Sequence, residues 1–211
     1  VYCETDTIVD IRNNVGGPGY NDWDIYVYYC KSSIIRNNTI GARRYGIAST
    51  NGDNTIIRQN TITGTSTLEN DGYGIYVENI AGDVAVDSNQ ISNYLRYGIF
   101  SRSVNNVNWV IRKNTINNIR DFVMGLNGVG GKYSENKITN VNAGIGVQVN
   151  VTNGLIANNY IQCRGLGVAK GISLQSQGTG SSVVFNSVNI IGTDPINGQA
   201  LEVLGGTNYT V

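Results

Sequence analysis

Histidine is absent from all 211 residues, proline occurs twice and methionine once. Without histidine, a Ser-His-Asp or Cys-His nucleophile and a His-ligated zinc site are excluded. Charged residues make up only 14% of the chain, fifteen Lys+Arg against fifteen Asp+Glu. No net field therefore gathers nucleic acid or an anionic membrane, and neither is expected as a partner. No apolar run approaches the roughly 18 to 20 residues needed to span a bilayer, and Val1-Tyr2-Cys3-Glu4 does not read as a signal peptide. A start without Met predicts a processed product or a segment of a longer chain. Cys3, Cys30 and Cys163 are an odd count that cannot all pair within one chain, and alone they do not fix a redox compartment.

Glycine is abundant, 27 residues, and asparagine recurs throughout. That composition suits tight turns and disfavours long helices. In so Asn-rich a chain, Asn-x-Ser/Thr triplets at Asn37, Asn150 and Asn208 are expected by chance.

An eight-residue phrase returns along the chain: SIIRNNTI (33–40), TIIRQNTI (55–62), VAVDSNQI (84–91), WVIRKNTI (109–116), GKYSENKI (131–138), GLIANNYI (154–161) and a degenerate SVVFNSV (182–188). Its closing residues are spaced by 22, 29, 25, 22, 23 and 27. Between these lies a second phrase: DIYV (24–27), YGIAS (45–49), YGIYV (73–77), YGIFS (97–101), AGIGV (143–147), KGISL (170–174) and the weaker ALEV (200–203). Both alternate apolar with small or polar residues, the period of strands. Length varies only between the phrases, as in a stacked solenoid whose insertions fall in turns. Each coil then carries about three short strands. The recurrent Asn38, Asn60, Asn89, Asn114, Asn136, Asn159 and Asn186 are predicted at the bend between second and third strands, where Asn tolerates a left-handed backbone and can stack as an amide ladder.

In this repeat the chain resembles the pectate-lyase-like right-handed parallel β-helix superfamily, especially its Asn-x-Ile repeat class of secreted carbohydrate-active and surface proteins. The resemblance runs from about Thr7 to about Val203. It implies an all-β, single-stranded right-handed parallel β-helix of seven to eight coils, residues 1–211 forming one domain, with an extracellular or cell-surface location. Eight coils at roughly 4.8 Å make a rod near 38 Å long. Inward first-strand residues are predicted to be Ile25, Val27, Ile47, Ile75, Val77, Ile99, Ile145, Val147, Ile172 and Leu174, joined by Ile40, Ile62, Ile91, Ile116, Ile138 and Ile161. The scaffold hosts lyases, hydrolases, epimerases, tailspikes and adhesins, so it does not fix function. Polygalacturonase-like and epimerase-like motifs are missing: each Tyr-Gly-Ile runs into Ala48, Tyr76 or Phe100, never into Asp-Pro-His.

In the superfamily, carbohydrate lies along the outer face of the first strand. Alternation places Tyr26 and Tyr28, Ala48, Tyr76 and Glu78, Phe100 and Arg102, then Gly144, Gly146 and Gln148, and Ser173 and Gln175 outward there. Tyr76 is predicted to stack on Phe100 one coil away, with Glu78 beside Arg102. Aromatic rings suit the C–H surface of a sugar, and Arg pairs with a uronate carboxylate. A lyase needs a base for the proton alpha to that carboxylate and a cation for the resulting anion. Arg102 fits the second role. Lys or Arg fills the first in the superfamily. The candidate catalytic residues are Glu78 and Arg102; the candidate carbohydrate-binding residues are Tyr26, Tyr76, Phe100, Glu69 and Asp71, the last two from the insertion TGTSTLENDG (63–72). Glu69, Asn70 and Asp71 offer three side chains to calcium, which the resemblance implies as a lyase cofactor. Calcium takes six to eight oxygens, so a solvated loop and no metal are expected. The plainer alternative is a surface aromatic ladder with an exposed ion pair worth roughly 0 to 1 kcal/mol. Asp24, beside Trp23 and before Tyr26, could extend a sugar-binding face, but Trp23 is expected instead to close a turn against the barrel.

Two functions fit. One is a polysaccharide-binding protein, lyase-like or glycoside hydrolase-like if it is an enzyme. The other is a noncatalytic solenoid such as an adhesin, stalk or tailspike shaft segment. Neither end shows a capping element, which predicts end-to-end or trimeric packing with other chains. Cys3 and Cys30 follow similar phrases 27 residues apart. They are expected at equivalent places on consecutive coils, within reach of a disulfide or as a pair of stacked thiols, with Cys163 free in a later loop.

Overall fold

The computed structural model describes residues 1–16, 23–42, 44–65, 72–102, 108–142, 144–165, 168–175, 178–192 and 198–211. These form a right-handed β-solenoid of about seven turns, with three parallel sheets and no helix. The first sheet runs Tyr2–Glu4, Trp23–Tyr28, Tyr45–Thr50, Tyr73–Glu78, Tyr97–Arg102, Phe122–Val129, Gly144–Thr152, Ala169–Leu174 and Gly198–Val203, each strand pairing with the next. The second sheet has eight strands and the third seven, likewise stacked in chain order. The recurrent phrase spans the end of the second sheet, the bend and the start of the third.

The core is a set of aliphatic ladders. Ile47, Ile75 and Ile99 are fully buried and in register on the first sheet; Ile35, Ile57, Val86 and Ile111 line the second, and Ile62, Ile91, Ile116, Ile138 and Ile161 the third. Burying each such side chain stabilises by roughly 1.5 to 3 kcal/mol.

The asparagine stack is continuous and has eight members. Each amide donates its Nδ2 to the Oδ1 of the next: Asn14 to Asn38, then Asn60, Asn89, Asn114, Asn136, Asn159 and Asn186, at 2.9–3.0 Å. The same Oδ1 also accepts the backbone N–H of the preceding member, at 2.9–3.1 Å. Asn14, which the sequence phrase does not mark, starts the ladder. The reason for Asn here differs from the one expected. The left-handed backbone belongs to the residue before it: Asn13, Asn37, Gln59, Ser88, Lys113, Glu135, Asn158 and Phe185, all with φ of 55–58°. That site accepts varied side chains because they point to solvent. The ladder site requires Asn because a buried donor and acceptor must both be satisfied there.

Three further expectations are corrected. The strand Phe122–Val129 is not marked by the Tyr-Gly-Ile phrase, because Val123 and Met124 replace Gly and Ile. Downstream, Ile145 pairs with Phe122 rather than lying in the core ladder, so Val147 continues Ile99 and Met124. Gly146 is accordingly not outward: a Cβ there would lie 2.6 Å from Ile161 Cγ2 and 2.7 Å from the Gly171 carbonyl. The same close approach to the third-sheet ladder recurs at Gly98, which explains the Gly of Tyr-Gly-Ile. The cysteine register is three residues off. Cys3 pairs with Val27, whereas Cys30 lies in the following bend, and all three thiols are free. Cys163 is in the strand Tyr160–Gly165, fully buried, and burial pushes its thiol pKa up to about 12.

Candidate functional site

The outer face of the first sheet carries nine of the chain's 18 aromatic side chains in two columns. One column is Trp23, Tyr45, Tyr73, Tyr97 and Phe122 on five successive coils. From Tyr45 onward its rings stack at 5.0–5.2 Å with interplanar angles of 5–16°. The second column is Tyr2, Tyr26, Ala48, Tyr76, Phe100 and Gly125. Sequence alternation misses the first column. The close approach at Gly interrupts the in–out alternation of the strand, so the Tyr before it joins the outer face and packs against Tyr76 and Phe100. Two guanidinium groups flank the rings: Arg44 lies 5.3 Å from the Tyr45 centroid, and Arg96 lies 5.6 Å from that of Tyr97.

Exposure is graded along this face. Tyr73 and Tyr97 are buried, and Tyr26, Tyr76 and Phe100 are half-buried. Tyr2 is 59% and Trp23 43% exposed. Trp23 does not close a turn against the barrel; it opens its strand and stacks on Tyr26 at 4.9 Å and 16°. Asp24 does not join the face, since its Oδ2 is buried without a hydrogen-bond partner and burial raises its pKa.

In the middle coils, register pairs Phe100 with Tyr76 and Arg102 with Glu78. The two rings stack at 5.8 Å and 18°. The Tyr76 hydroxyl donates to Glu78 Oε2 at 2.7 Å, and Arg102 Nε lies 3.6 Å from Glu78 Oε1. Burial, with the Glu78 carboxylate beside it, pushes the Tyr76 phenol well above its ordinary range, which keeps it a donor. Glu78 is 23% exposed and Arg102 63%, so the carboxylate is recessed while the guanidinium, paired with it through Nε, is open to solvent. Tyr26 reaches the next coil, its hydroxyl 3.2 Å from Thr50 Oγ1. Glu69 and Asp71 lie outside the described residues. Among the described residues no group of three or more His, Cys, Asp or Glu is placed to hold a metal ion.

Toward the C-terminal coils the same face turns polar. Glu202 pairs with Lys170 and accepts the Ser173 hydroxyl at 2.6 Å, while Gln175 donates to Ser173 at 2.8 Å. Sequence reading misses Glu202 because its phrase, ALEV, is degenerate. Burial alone would raise the Glu202 pKa, but Lys170 and Ser173 outweigh it and hold the carboxyl below its ordinary 4.5. A pKa lower in the folded state gives stability that is present above 4.5 and is lost as pH falls through the folded value. Glu202→Gln should therefore lose less stability than the native chain between pH 7 and pH ~3 in urea unfolding. Equal losses would show that Glu202 is not a source of the acid sensitivity.

The family model described as a right handed beta helix region matches residues 1–129. No curated protein matches the chain. Two solved structures are similar. A mutant of the periplasmic alginate epimerase AlgG is 16% identical, with a TM-score of 0.49 over 86% of this chain and 47% of that one. The tailspike protein gp49 from Pseudomonas phage LKA1 is 12% identical, with a TM-score of 0.39 over 97% of this chain and 49% of that one. The chain spans about half the length of each.

Proposed function

The chain belongs to the right-handed β-helix family, and from that premise we propose that it binds polysaccharide along the outer face of its first sheet, at a cell surface or outside the cell. The observation that carries this reading is the aromatic strip from Tyr2 to Phe122, whose N-terminal end is exposed around Trp23. A contiguous exposed apolar patch on a rigid face marks a binding surface, and rings edged by hydroxyls and charge suit a sugar's mixed surface. Trp23, Tyr2 and Tyr26 supply the open platform. Tyr76 and Phe100 continue it as a half-buried strip, and Arg102 meets an acidic group on the ligand.

The two tryptophans make this testable. Trp23 is exposed on the strip, whereas Trp109 is buried at 1%. Titration with the bound polysaccharide should give a saturable change in tryptophan emission that Trp23→Phe removes. Tyr76→Ala/Phe100→Ala should weaken retention in affinity electrophoresis about tenfold, a loss of a few stacking contacts. Because both rings pack on Tyr73 and Tyr97, this double variant is also expected to lose about 1 to 2 kcal/mol of stability, so it is compared at a temperature where circular dichroism shows it folded. No emission change across uronate-bearing and neutral polymers, or unaltered retention of the double variant, would end this reading in favour of a noncatalytic shaft.

Cleavage is a second reading, favoured by one observation: a recessed carboxylate and an exposed guanidinium side by side. On a uronate chain Glu78 would accept the proton alpha to the carboxylate while Arg102 stabilises the resulting anion. The electron pair then forms the C=C bond as the beta C–O bond to the next sugar breaks, and the departing oxygen takes a proton from the protonated Glu78 or from water. An unsaturated, ultraviolet-absorbing product from a uronate polymer that Glu78→Gln abolishes would support a lyase. Binding without product leaves a binding module.

A further inference from the structure

The second sheet carries a basic stripe that the first-sheet reading does not use. Arg12, Arg36 and Arg58 occupy one outward column on three successive coils; Asp87 follows on the fourth and Arg112 on the fifth. In-register like charges about 4.8 Å apart repel and destabilise a sheet unless an anion lies between them. Where the chain supplies a carboxylate, it is clasped. Asp10 takes the Arg36 guanidinium two-pronged, Nε at 3.3 Å and Nη2 at 2.9 Å, with Arg12 Nε 3.8 Å away. Asp87 takes Arg112 at 2.9 Å. Arg36, then Arg12 and Arg58, hold the Asp10 carboxyl below its ordinary pKa, so the field of all three reaches one carboxylate. Arg58 is exposed and, among the described residues, has no ion-pair partner.

We propose that the stripe Arg12–Arg36–Arg58–Arg112 binds a linear polysaccharide carrying one carboxylate per sugar residue, laid along the rod with a carboxylate in the open Arg58 fork. Asp10 against Arg36 shows the contact such a carboxylate would make. A single line of guanidinium groups matches a linear polymer, with a sugar and its linkage comparable in length to one coil rise of about 4.8 Å. The neighbouring column, Ile34, Ile56, Ala85 and Val110, contains no ring. A single-stranded nucleic acid would need rings there to stack its bases, and a membrane surface would need a broader basic patch. Across the adjoining bend, exposed Thr39, Thr61, Gln90 and Thr115 stand in register on four coils and supply partners for sugar hydroxyls.

The test is affinity electrophoresis on polygalacturonate, with dextran as neutral control, in an Arg102→Ala background that removes the first-sheet cation. Arg58→Glu should weaken retention on polygalacturonate about tenfold at low salt, with a smaller effect at 0.3 M, and leave dextran and the Trp23 emission response unchanged. That result would stand even if the first-sheet strip bound nothing. The proposal is overturned if Arg58→Glu retains full affinity for polygalacturonate or loses dextran binding equally. It is equally overturned if phosphatidylserine vesicles or a single-stranded oligonucleotide bind more tightly than polygalacturonate in an Arg58-dependent way.

Discussion

Asn114→Leu is expected to lower the unfolding free energy by about 4 kcal/mol or more, since each buried polar group left unpaired costs about 1 to 3 kcal/mol. Asn114 Oδ1 accepts the Asn89 backbone N–H and Nδ2, both at 3.0 Å, and its Nδ2 donates to Asn136 Oδ1 at 3.0 Å and to the Val86 carbonyl at 2.9 Å. Leucine fills the space and satisfies none of them. Neighbouring rungs cannot turn to compensate, because each amide is already hydrogen-bonded to the coils on both sides of it. Asn142→Ala is the control: its Nδ2 donates to Asn118 Oδ1 at 2.7 Å on the exposed surface, where water replaces the partner. It should change stability by no more than about 0.5 kcal/mol. Urea unfolding of both variants checks the contrast. Similar small effects would mean that the ladder does not hold the coils together.

Gly146→Ala is expected to cost about 3 kcal/mol, at the upper end for overpacking by one methyl group. The added carbon would meet Ile161 Cγ2 at 2.6 Å and the Gly171 carbonyl oxygen at 2.7 Å. The first could give by a rotamer change, but the carbonyl belongs to the next strand of the sheet and moves only with it. Gly72→Ala, whose Cβ would find nothing nearer than 3.4 Å, is the matched control. A melting curve for Gly146→Ala that overlays the native one would show the two sheets to be farther apart than described.

The two glycine and asparagine sites also show which parts of the molecule can be read from sequence. Asn38 to Asn186 are legible because a buried amide stack accepts one residue type, so the letter itself repeats. Asn14 escapes because Val15 is in register with Thr39 and Gly16 then stands where the Asn-x-Ile phrase has its Ile. The left-handed position before each rung is invisible: its side chains face water, and Asn37, Ser88, Lys113 and Phe185 all fill it. Ala143-Gly144-Ile145 imitates Tyr-Gly-Ile two residues out of register, and only the sheet pairing reveals that Ile145 follows Phe122. At the candidate site, Tyr76, Glu78, Phe100 and Arg102 come together as strand alternation predicts. Tyr45, Tyr73 and Tyr97 do not follow it, because the inter-sheet approach at the next Gly overrides alternation. Cys3 and Cys30 fail for a related reason. Similar flanking letters suggest equivalence, but the bend after Tyr29, with its φ of 54°, ends the strand before Cys30.

Crystals soaked with an oligosaccharide drawn from a polymer that shifts the Trp23 emission test the first-sheet reading most directly. Sugar density lying along Trp23, Tyr26, Tyr76 and Phe100, with any acidic group turned toward Arg102, is the predicted result. Density bound elsewhere while that strip stays bare at saturating ligand would contradict it.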